Sequence, residues 1–198
     1  CDLRCVYCMK EKMNFLPKSD VLSLEEIERL CDNFIDLGVE KIRLTGGEPL
    51  VRKDILTLEE IERLCDNFID LGVEKIRLTG GEPLVRNDII NLIEKLNYKK
   101  NFTNLKEITL TTNGTLLKKY AKKLRQNGIE RINVSLDTIN PKKYNKITRF
   151  GNIEKVFDGI NESLNEGIKI KINTVVIKGF NENEIETLIN WTNSKKID

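Results

Sequence analysis

Three cysteines with the spacing C-x3-C-x2-C open the chain, at Cys1, Cys5 and Cys8. Thiolates are the usual protein ligands of iron-sulfur clusters, and a cubane of four irons needs four ligands. Three cysteines on one short loop would therefore leave one iron open to another molecule, as in catalytic rather than closed structural metal centres. The spacing predicts a [4Fe-4S] cluster that binds a ligand at its fourth iron.

Disulfides, a zinc site and simple buried thiols are the alternatives for these three cysteines. An odd number of thiols would leave one cysteine out of any disulfide, and a zinc site would need a distant fourth ligand because the chain contains no histidine. The other two cysteines, Cys31 and Cys65, lie on the apolar stripes of predicted helices, where a free cysteine is usually a small buried hydrophobe. The cluster is the favoured interpretation.

The composition excludes several classes of function. Without histidine, Ser-His and Cys-His nucleophilic pairs and imidazole acid-base catalysis are impossible, so no side chain is assigned as catalytic and the chemistry must come from a cofactor. The net charge of +2, from 33 basic and 31 acidic residues, predicts no general attraction to nucleic acid or to a membrane surface. No apolar run approaches the roughly 18 residues that span a bilayer. Five cysteines cannot all pair in disulfides, and such a set is typical of a protein from a reducing cytoplasm.

Helical and strand patterns alternate along the chain and predict an α/β fold with parallel strands and outer helices. Two helix-strand units end in the strand VEKIRLT. The later predicted strands are 106–112, 130–136 and 168–176, separated by helices around 88–98, 115–127, 153–166 and 182–193. Each helix would carry the chain across the sheet to the next parallel strand.

Apolar and polar residues alternate within these strands, which is unusual for a parallel sheet covered on both faces. The polar face carries hydroxyl, amide and cationic side chains: Arg43, Thr45, Arg77, Thr109, Thr111, Asn133, Ser135, Lys171 and Asn173. Such a face must be wet or occupied, because burying an unpaired charge is costly. We predict a partial (β/α) barrel whose lumen holds a polar, anionic ligand. An open sheet with one solvated face is the alternative.

Residues 22–55 and 56–89 are the same sequence twice, with differences at only two positions. A recent tandem duplication, an engineered insertion and an assembly error would all produce this pattern. If both copies join the sheet, it gains one strand, and the GGEP of the first copy would lie nearest the cysteines while that of the second would lie nearest Thr111 and Ser135. We favour insertion over extrusion of one copy, because an open arc tolerates an added unit better than a closed barrel.

Further strings accompany the cysteine loop CDLRCVYC: FLPK at 15–18, IRLTGGEPLVR in both copies, LTTNG at 110–114, NVSLD at 133–137, KITR at 146–149 and KINTVV at 171–176. Together they resemble the radical S-adenosylmethionine (SAM) superfamily and, within it, the GTP 3',8-cyclases of molybdenum cofactor biosynthesis. The resemblance implies one partial radical SAM core domain over 1–198. It also implies a lyase that converts GTP into 3',8-cyclo-7,8-dihydro-GTP, with an electron donor as its partner.

The resemblance implies roles for individual residues. Cys1, Cys5 and Cys8 would ligate the cluster, whose open iron binds SAM and whose electron cleaves SAM to a 5'-deoxyadenosyl radical. The residues implied in SAM binding are Tyr7, Gly46, Gly47, Glu48, Gly80, Gly81, Glu82 and Ser135. Those implied in GTP binding are Arg43, Arg77, Thr111 and Lys171. Internal ion pairing of these cations, for example with Asp137, is the alternative.

The chain also departs from the family pattern. Family members continue into a further strand and a tail whose three cysteines hold a second cluster, and this sequence ends before any such cysteines. It begins with Cys1 rather than methionine, so we expect truncation at both ends and no complete cyclase reaction from the fragment alone. A radical enzyme acting on a peptide or a different purine, and a non-catalytic product of a duplicated gene, are the competing interpretations.

Overall fold

The computed structural model of the protein describes residues 1–8, 16–39, 41–44 and 56–197, with the backbone alone for 41–44 and for residue 18. In these ranges five parallel strands form one sheet whose spatial order follows the chain. The strands are β1 Lys41–Leu44, β2 Lys75–Leu78, β3 Glu107–Thr112, β4 Arg131–Ser135 and β5 Lys169–Asn173. The parallel α/β arrangement was the one predicted.

Helices connect successive strands, as parallel pairing requires. They are α1 Leu24–Asp36, α2 Leu58–Asp70, α3 Ile89–Lys99, α4 Leu117–Gln126, α5 Pro141–Thr148, α6 Ile153–Asn165 and α7 Ile185–Ser194. Short 3-10 turns lie at Lys18–Asp20, Pro83–Val85 and Glu182–Glu184. The helices α1 and α2 begin with identical capping boxes at Ser23 and Thr57. No helix in the described part of the chain is long and apolar enough to cross a membrane.

The alternation within the strands separates an apolar face from a polar one. The apolar strand residues are buried in one core with the helices: Ile76, Leu78, Ile108, Leu110, Ile132, Val134 and Ile170. On the polar face Thr109 and Asn133 are each only 3% exposed, whereas Ser135 and Lys171 are exposed. The second face is therefore not uniformly solvated, as the alternative of an open solvated sheet would require.

Both copies of the repeat join the sheet, as predicted. Strand β1 pairs with β2 in register, from Lys41 opposite Lys75 to Leu44 opposite Leu78. The copies nevertheless have different environments, because α2 contacts both α1 and α3 while α1 contacts α2 at the end of the described layer. Phe68 on α2 is 1% exposed, and the equivalent Phe34 on α1 is 52% exposed.

The cysteines of the repeat are buried in both copies, at Cys31 and Cys65, as their place on the apolar stripe predicted. Identical sequence thus gives one helix in the core and one at the edge of the layer.

Two features of the fold differ from the sequence prediction. The helix α5 was not predicted; it is short, begins with Asn140 accepting hydrogen bonds from two backbone amides, and has Pro141 at its first position. Strand β5 ends at Asn173 rather than at residue 176. The reason is that the Val175 amide donates to Oδ1 of Asp137 at 2.8 Å and leaves the strand ladder.

Candidate functional site

The carboxyl ends of the parallel strands meet at one edge of the sheet, where ligands of open α/β sheets usually bind. Gly80, Gly81 and Glu82 follow β2, Asn113 follows β3, and Asp137 lies just beyond β4. The cysteine loop, residues 1–8, contacts this same edge through side-chain and backbone hydrogen bonds. The predicted cluster loop and the strand ends are therefore brought together.

Glu82 fastens the end of β2 to the end of β3. Its carboxylate is 0% exposed and accepts hydrogen bonds from the Thr112 hydroxyl at 2.7 Å, the Asn113 amide at 2.6 Å and the Leu84 amide at 3.1 Å. Burial raises the pKa of Glu82 to about 7, against the opposing effect of these hydrogen bonds. Because a carboxylate has about four acceptor positions, one is left for another donor.

The glycines before Glu82 turn the chain sharply. Gly80 has φ of 107° and Gly81 has φ of 56°, a region that glycine enters without steric cost. Gly80 is buried and Gly81 is exposed, so the turn presents its backbone at the edge of the sheet. The equivalent Gly46, Gly47 and Glu48 of the first copy lie outside the described residues.

Asn113 joins this strand end to the cysteine loop. Its Nδ2 lies 3.7 Å from Sγ of Cys1 and donates to Oδ1 of Asp2 at 2.6 Å, while the Thr115 hydroxyl donates to Oδ2 of Asp2 at 2.8 Å. A continuous set of contacts therefore runs from Glu82 through Asn113 to Cys1. The second copy, expected nearest Thr111 and Ser135, is thus also connected to the cysteine loop.

A second connection joins the cysteine loop to the ends of β4 and β5. The Tyr7 hydroxyl donates to Oδ2 of Asp137 at 2.6 Å, and burial followed by this bond raises the pKa of Tyr7. Asp137 also accepts from the Val175 amide, and the side-chain amide of Asn181 donates to the carbonyls of both residues at 2.7 and 3.0 Å. The carboxylate of Asp137 is thereby held in one orientation against the loop.

The backbone of the loop rests on the last turn of α5. The Arg4 amide donates to the carbonyl of Thr148 at 3.2 Å, and the Val6 amide donates to the carbonyl of Ile147 at 2.9 Å. Within the loop, the Cys8 amide donates to the carbonyl of Cys5 at 3.0 Å. The orphan carbonyls of a helix end are thus satisfied by the segment that carries the cysteines.

All five cysteines are free thiols, so the disulfide alternative is wrong for this structure. Burial, then the charges of Asp137 and Cys8, raises the pKa of Cys5 to about 11, so that thiol is protonated until a metal displaces the proton. No group of three or more cysteine or acidic side chains converges on a single ion within the described ranges. Thiolates are the usual ligands of a cubane, in which each thiolate binds a different iron.

The residues predicted to bind GTP lie along the polar face. Thr111, Asn133 and Lys171 form one row across β3, β4 and β5, since Thr111 is opposite Asn133 and Asn133 is opposite Lys171. Arg77 on β2 lies one row earlier, opposite Thr109, and is partly buried. Arg43 is opposite Arg77 in register, but its side chain lies outside the described residues.

Two side chains of this row have unused polar groups. The buried Asn133 Oδ1 has no hydrogen-bond partner among the described residues, and the exposed Lys171 forms no ion pair with them. The hydrogen bonds of the Asp137 carboxylate go to Tyr7 and Val175, so the proposed internal pairing of Lys171 with Asp137 is not present. Ser135, at the end of β4, is exposed beside this row.

Several residues of the site were not assigned a role from the sequence. Asn113, Asn181 and the end of α5 each position the cysteine loop or Asp137. The string LTTNG contained a signal for Asn113, because it places a polar residue directly after a buried parallel strand. For α5 the signal was the Asn-Pro pair that begins it.

Comparison with known proteins gives matches over the whole chain. The sequence profile of the Radical SAM superfamily matches residues 1–56 and 52–192, two stretches that meet where the copies of the repeat join. The chain is 44% identical over 197 residues to the GTP 3',8-cyclase of Bradyrhizobium diazoefficiens and 45% identical over 198 residues to that of Rhizobium etli. Each alignment covers 100% of this chain and 47% of the relative, so the chain spans about half their length.

Solved structures show the same architecture. The crystal structure of Streptococcus suis SuiB bound to S-adenosylmethionine matches with a TM-score of 0.59 and 24% identity, covering 100% of this chain and 35% of SuiB. At this identity the likeness establishes the fold alone. It confirms the predicted α/β fold with a partial barrel of parallel strands.

Proposed function

The chain belongs to the radical SAM superfamily, and we propose that it forms the core of a GTP 3',8-cyclase, a lyase that converts GTP into 3',8-cyclo-7,8-dihydro-GTP in molybdenum cofactor biosynthesis. The observation that carries this proposal is the 44% and 45% identity to two such cyclases over the whole chain. Since the chain spans 47% of those relatives, the complete reaction is proposed for a protein that includes this core.

We assign Cys1, Cys5 and Cys8 as the ligands of a [4Fe-4S] cluster. When bound, the cluster supplies the electron that cleaves SAM reductively. The chain's own contribution is to hold the three thiols against the strand ends, through Asn113 on one side and the last turn of α5 on the other. Five free cysteines and the need for an electron donor suit a reducing cytoplasm.

For SAM we assign the glycine turn of the second copy. The backbone carbonyls of Gly80 and Gly81 are suited to accept from an ammonium group. Glu82 is buried and already accepts three hydrogen bonds, so it would act mainly by fixing this turn beside Asn113. Its remaining acceptor position would be available to the ligand. Ser135 and the half-exposed ring of Tyr7 flank the same edge.

For GTP we assign the polar row of Thr111, Asn133 and Lys171, together with Arg77. A lysine ammonium and an arginine fork are suited to triphosphate oxygens. The unpartnered Oδ1 of Asn133 supports a ligand with hydrogen-bond donors, such as a ribose hydroxyl or a guanine N–H, because an orphan buried acceptor is costly in an empty site. Arg43 belongs to the same proposal through its register with Arg77.

The test is anaerobic reconstitution, with iron and sulfide, of a full-length protein that includes this core, followed by measurement of 5'-deoxyadenosine released from SAM. We expect GTP to stimulate release and ATP at the same concentration to give little. Release that ignores GTP but responds to a peptide or another purine would overturn the substrate assignment while leaving the superfamily intact. Protein that binds the cluster but releases nothing with any of these would contradict the enzymatic proposal.

A further inference from the structure

The side-chain amide of Asn113 lies against the sulfur of Cys1. Asn113 directly follows β3, and its Nδ2 is 3.7 Å from Sγ of Cys1, a distance at which an amide N–H donates to sulfur. The sulfurs of Cys5 and Cys8 accept no side-chain hydrogen bond from the residues that the structure describes. The three thiols of the cysteine loop therefore have different surroundings, and Cys1 has a donor beside it.

The orientation of the Asn113 carboxamide is determined by its other contacts. The backbone amide of Thr115 donates to Oδ1 at 2.9 Å, which identifies that atom as the oxygen, because the NH2 group only donates. The nitrogen donates to Oδ1 of Asp2 at 2.6 Å. Since Nδ2 carries two hydrogens, the second one is available to the sulfur.

The backbone of Asn113 is held as firmly as its side chain. Its amide donates to the buried carboxylate of Glu82 at 2.6 Å. The next residue, Gly114, has φ of 81°, and a Cβ there would lie 2.9 Å from Cγ1 of Val156 on α6. Because the chain is fixed on both sides, the amide donor is preorganised, and directing it at the sulfur needs no rearrangement of the strand end.

We infer that Asn113 donates this N–H to the sulfur of Cys1 when that sulfur is a ligand of the cluster, and that the bond raises the reduction potential of the cluster. Hydrogen bonds to the sulfurs are among the factors that set this potential. They stabilise the reduced form more than the oxidised form, because reduction adds negative charge that the donor attracts. Asn113 is thus a positioning residue that acts through Cys1, and this inference rests on the proposed function.

Pulsed electron paramagnetic resonance detects the bond directly. The sample is reduced, reconstituted protein without SAM, in which only the asparagine side-chain amides carry a heavy-nitrogen label. We expect a hyperfine coupling between the cluster and this nitrogen, and we expect Asn113→Ala to abolish it. Wild-type protein that holds a cluster but shows no coupling would overturn the inference, and this result needs no variant. A coupling that persists in Asn113→Ala would also overturn it.

The reduction potential gives an independent readout. In an anaerobic redox titration, we expect Asn113→Ala to lower the ratio of reduced to oxidised cluster at a fixed potential about fivefold, the size expected for one hydrogen bond. Thr115→Val is the matched control, because it removes a 2.8 Å hydrogen bond to Asp2 but keeps the backbone amide that orients Asn113. Its ratio should equal that of wild type.

The possible failures are distinguishable. Wild-type protein that never binds iron would overturn the proposed cluster and this inference together. An unchanged ratio in Asn113→Ala, at an iron content equal to wild type, would overturn this inference alone. An equal fall in Thr115→Val would mean that the position of Asp2, and not the donor on the sulfur, sets the potential, and it would overturn the inference as well.

Discussion

The phenol of Tyr7 donates a 2.6 Å hydrogen bond to Oδ2 of Asp137, which lies 130 residues further along the chain. The two residues belong to the cysteine loop and to the end of β4, and Asp137 also holds the backbone where β5 ends. One carboxylate therefore sets the loop against two strands of the sheet. The position of Cys8, next to Tyr7, depends on this contact.

A double-mutant cycle on this pair should give a clear coupling energy. We expect the losses of unfolding free energy in Tyr7→Phe and Asp137→Ala to add up to about 1 kcal/mol more than the loss in the double variant. A hydrogen bond to a charged group is strong, but the half-exposed position of Tyr7 limits its contribution. Urea unfolding followed by circular dichroism measures it. The exposed Tyr98→Phe is the control, and additive losses would contradict the contact.

The buried carboxyl of Glu82 should make stability depend on pH. Its folded-state pKa of about 7 exceeds the ordinary value of 4.5, so the protonated form favours folding. This contribution is complete below pH 4.5 and is lost as the pH rises through 7. We expect the free energy of unfolding of wild type, relative to Glu82→Gln, to fall by about 3 kcal/mol across this range. The exposed Glu130→Gln variant retains Glu82 and should keep the wild-type slope, whereas an unchanged slope in Glu82→Gln would contradict the assignment.

The repeat supplies its own matched pair of variants. Phe34 and Phe68 have the same local sequence, but only Phe68 lies in the core. We expect Phe68→Ala to cost about 3–5 kcal/mol of unfolding free energy and Phe34→Ala less than about 1 kcal/mol. Equal costs, measured by urea unfolding, would mean that the two helices exchange places.

Lys171 should contribute to nucleotide affinity. It is the middle residue of β5, in the row with Thr111 and Asn133, whereas Lys169 lies two residues earlier on the same face, at the amino end of the strand. We expect Lys171→Ala to weaken GTP binding about tenfold in equilibrium dialysis, because a charge-assisted contact to phosphate is lost. Lys169→Ala should leave binding unchanged. Equal affinity in both variants would remove Lys171 from the site.

The sequence predicted the fold well because each strand carried a period of two and each helix a period near 3.6. It could not distinguish Phe34 from Phe68, since identical sequence contains no information on which copy lies at the edge. It predicted β5 through residue 176 from continued apolar alternation. Asp137, which takes the Val175 amide out of the ladder, is a tertiary contact that periodicity does not encode.

The candidate site was predicted in its residue types more than in its contacts. The strings around Cys1, Glu82 and Ser135 placed the correct segments at one edge of the sheet. Glu82 is fully buried and bonded to Thr112, and Asn113 contacts Cys1. Both contacts depend on how the ends of neighbouring strands pack against each other. The roles of the individual cofactor and substrate residues stay predictions.

The most direct test of the account is the iron and sulfide content of the anaerobically reconstituted protein. We predict about four irons and four sulfides per chain from this core. Alanine at Cys1, Cys5 or Cys8 should lower this content sharply, while Cys65→Ala, in the core of the repeat, should leave it unchanged. Wild-type protein without iron and sulfide, or equal content in all four variants, would contradict the claim that these three thiols hold a cluster.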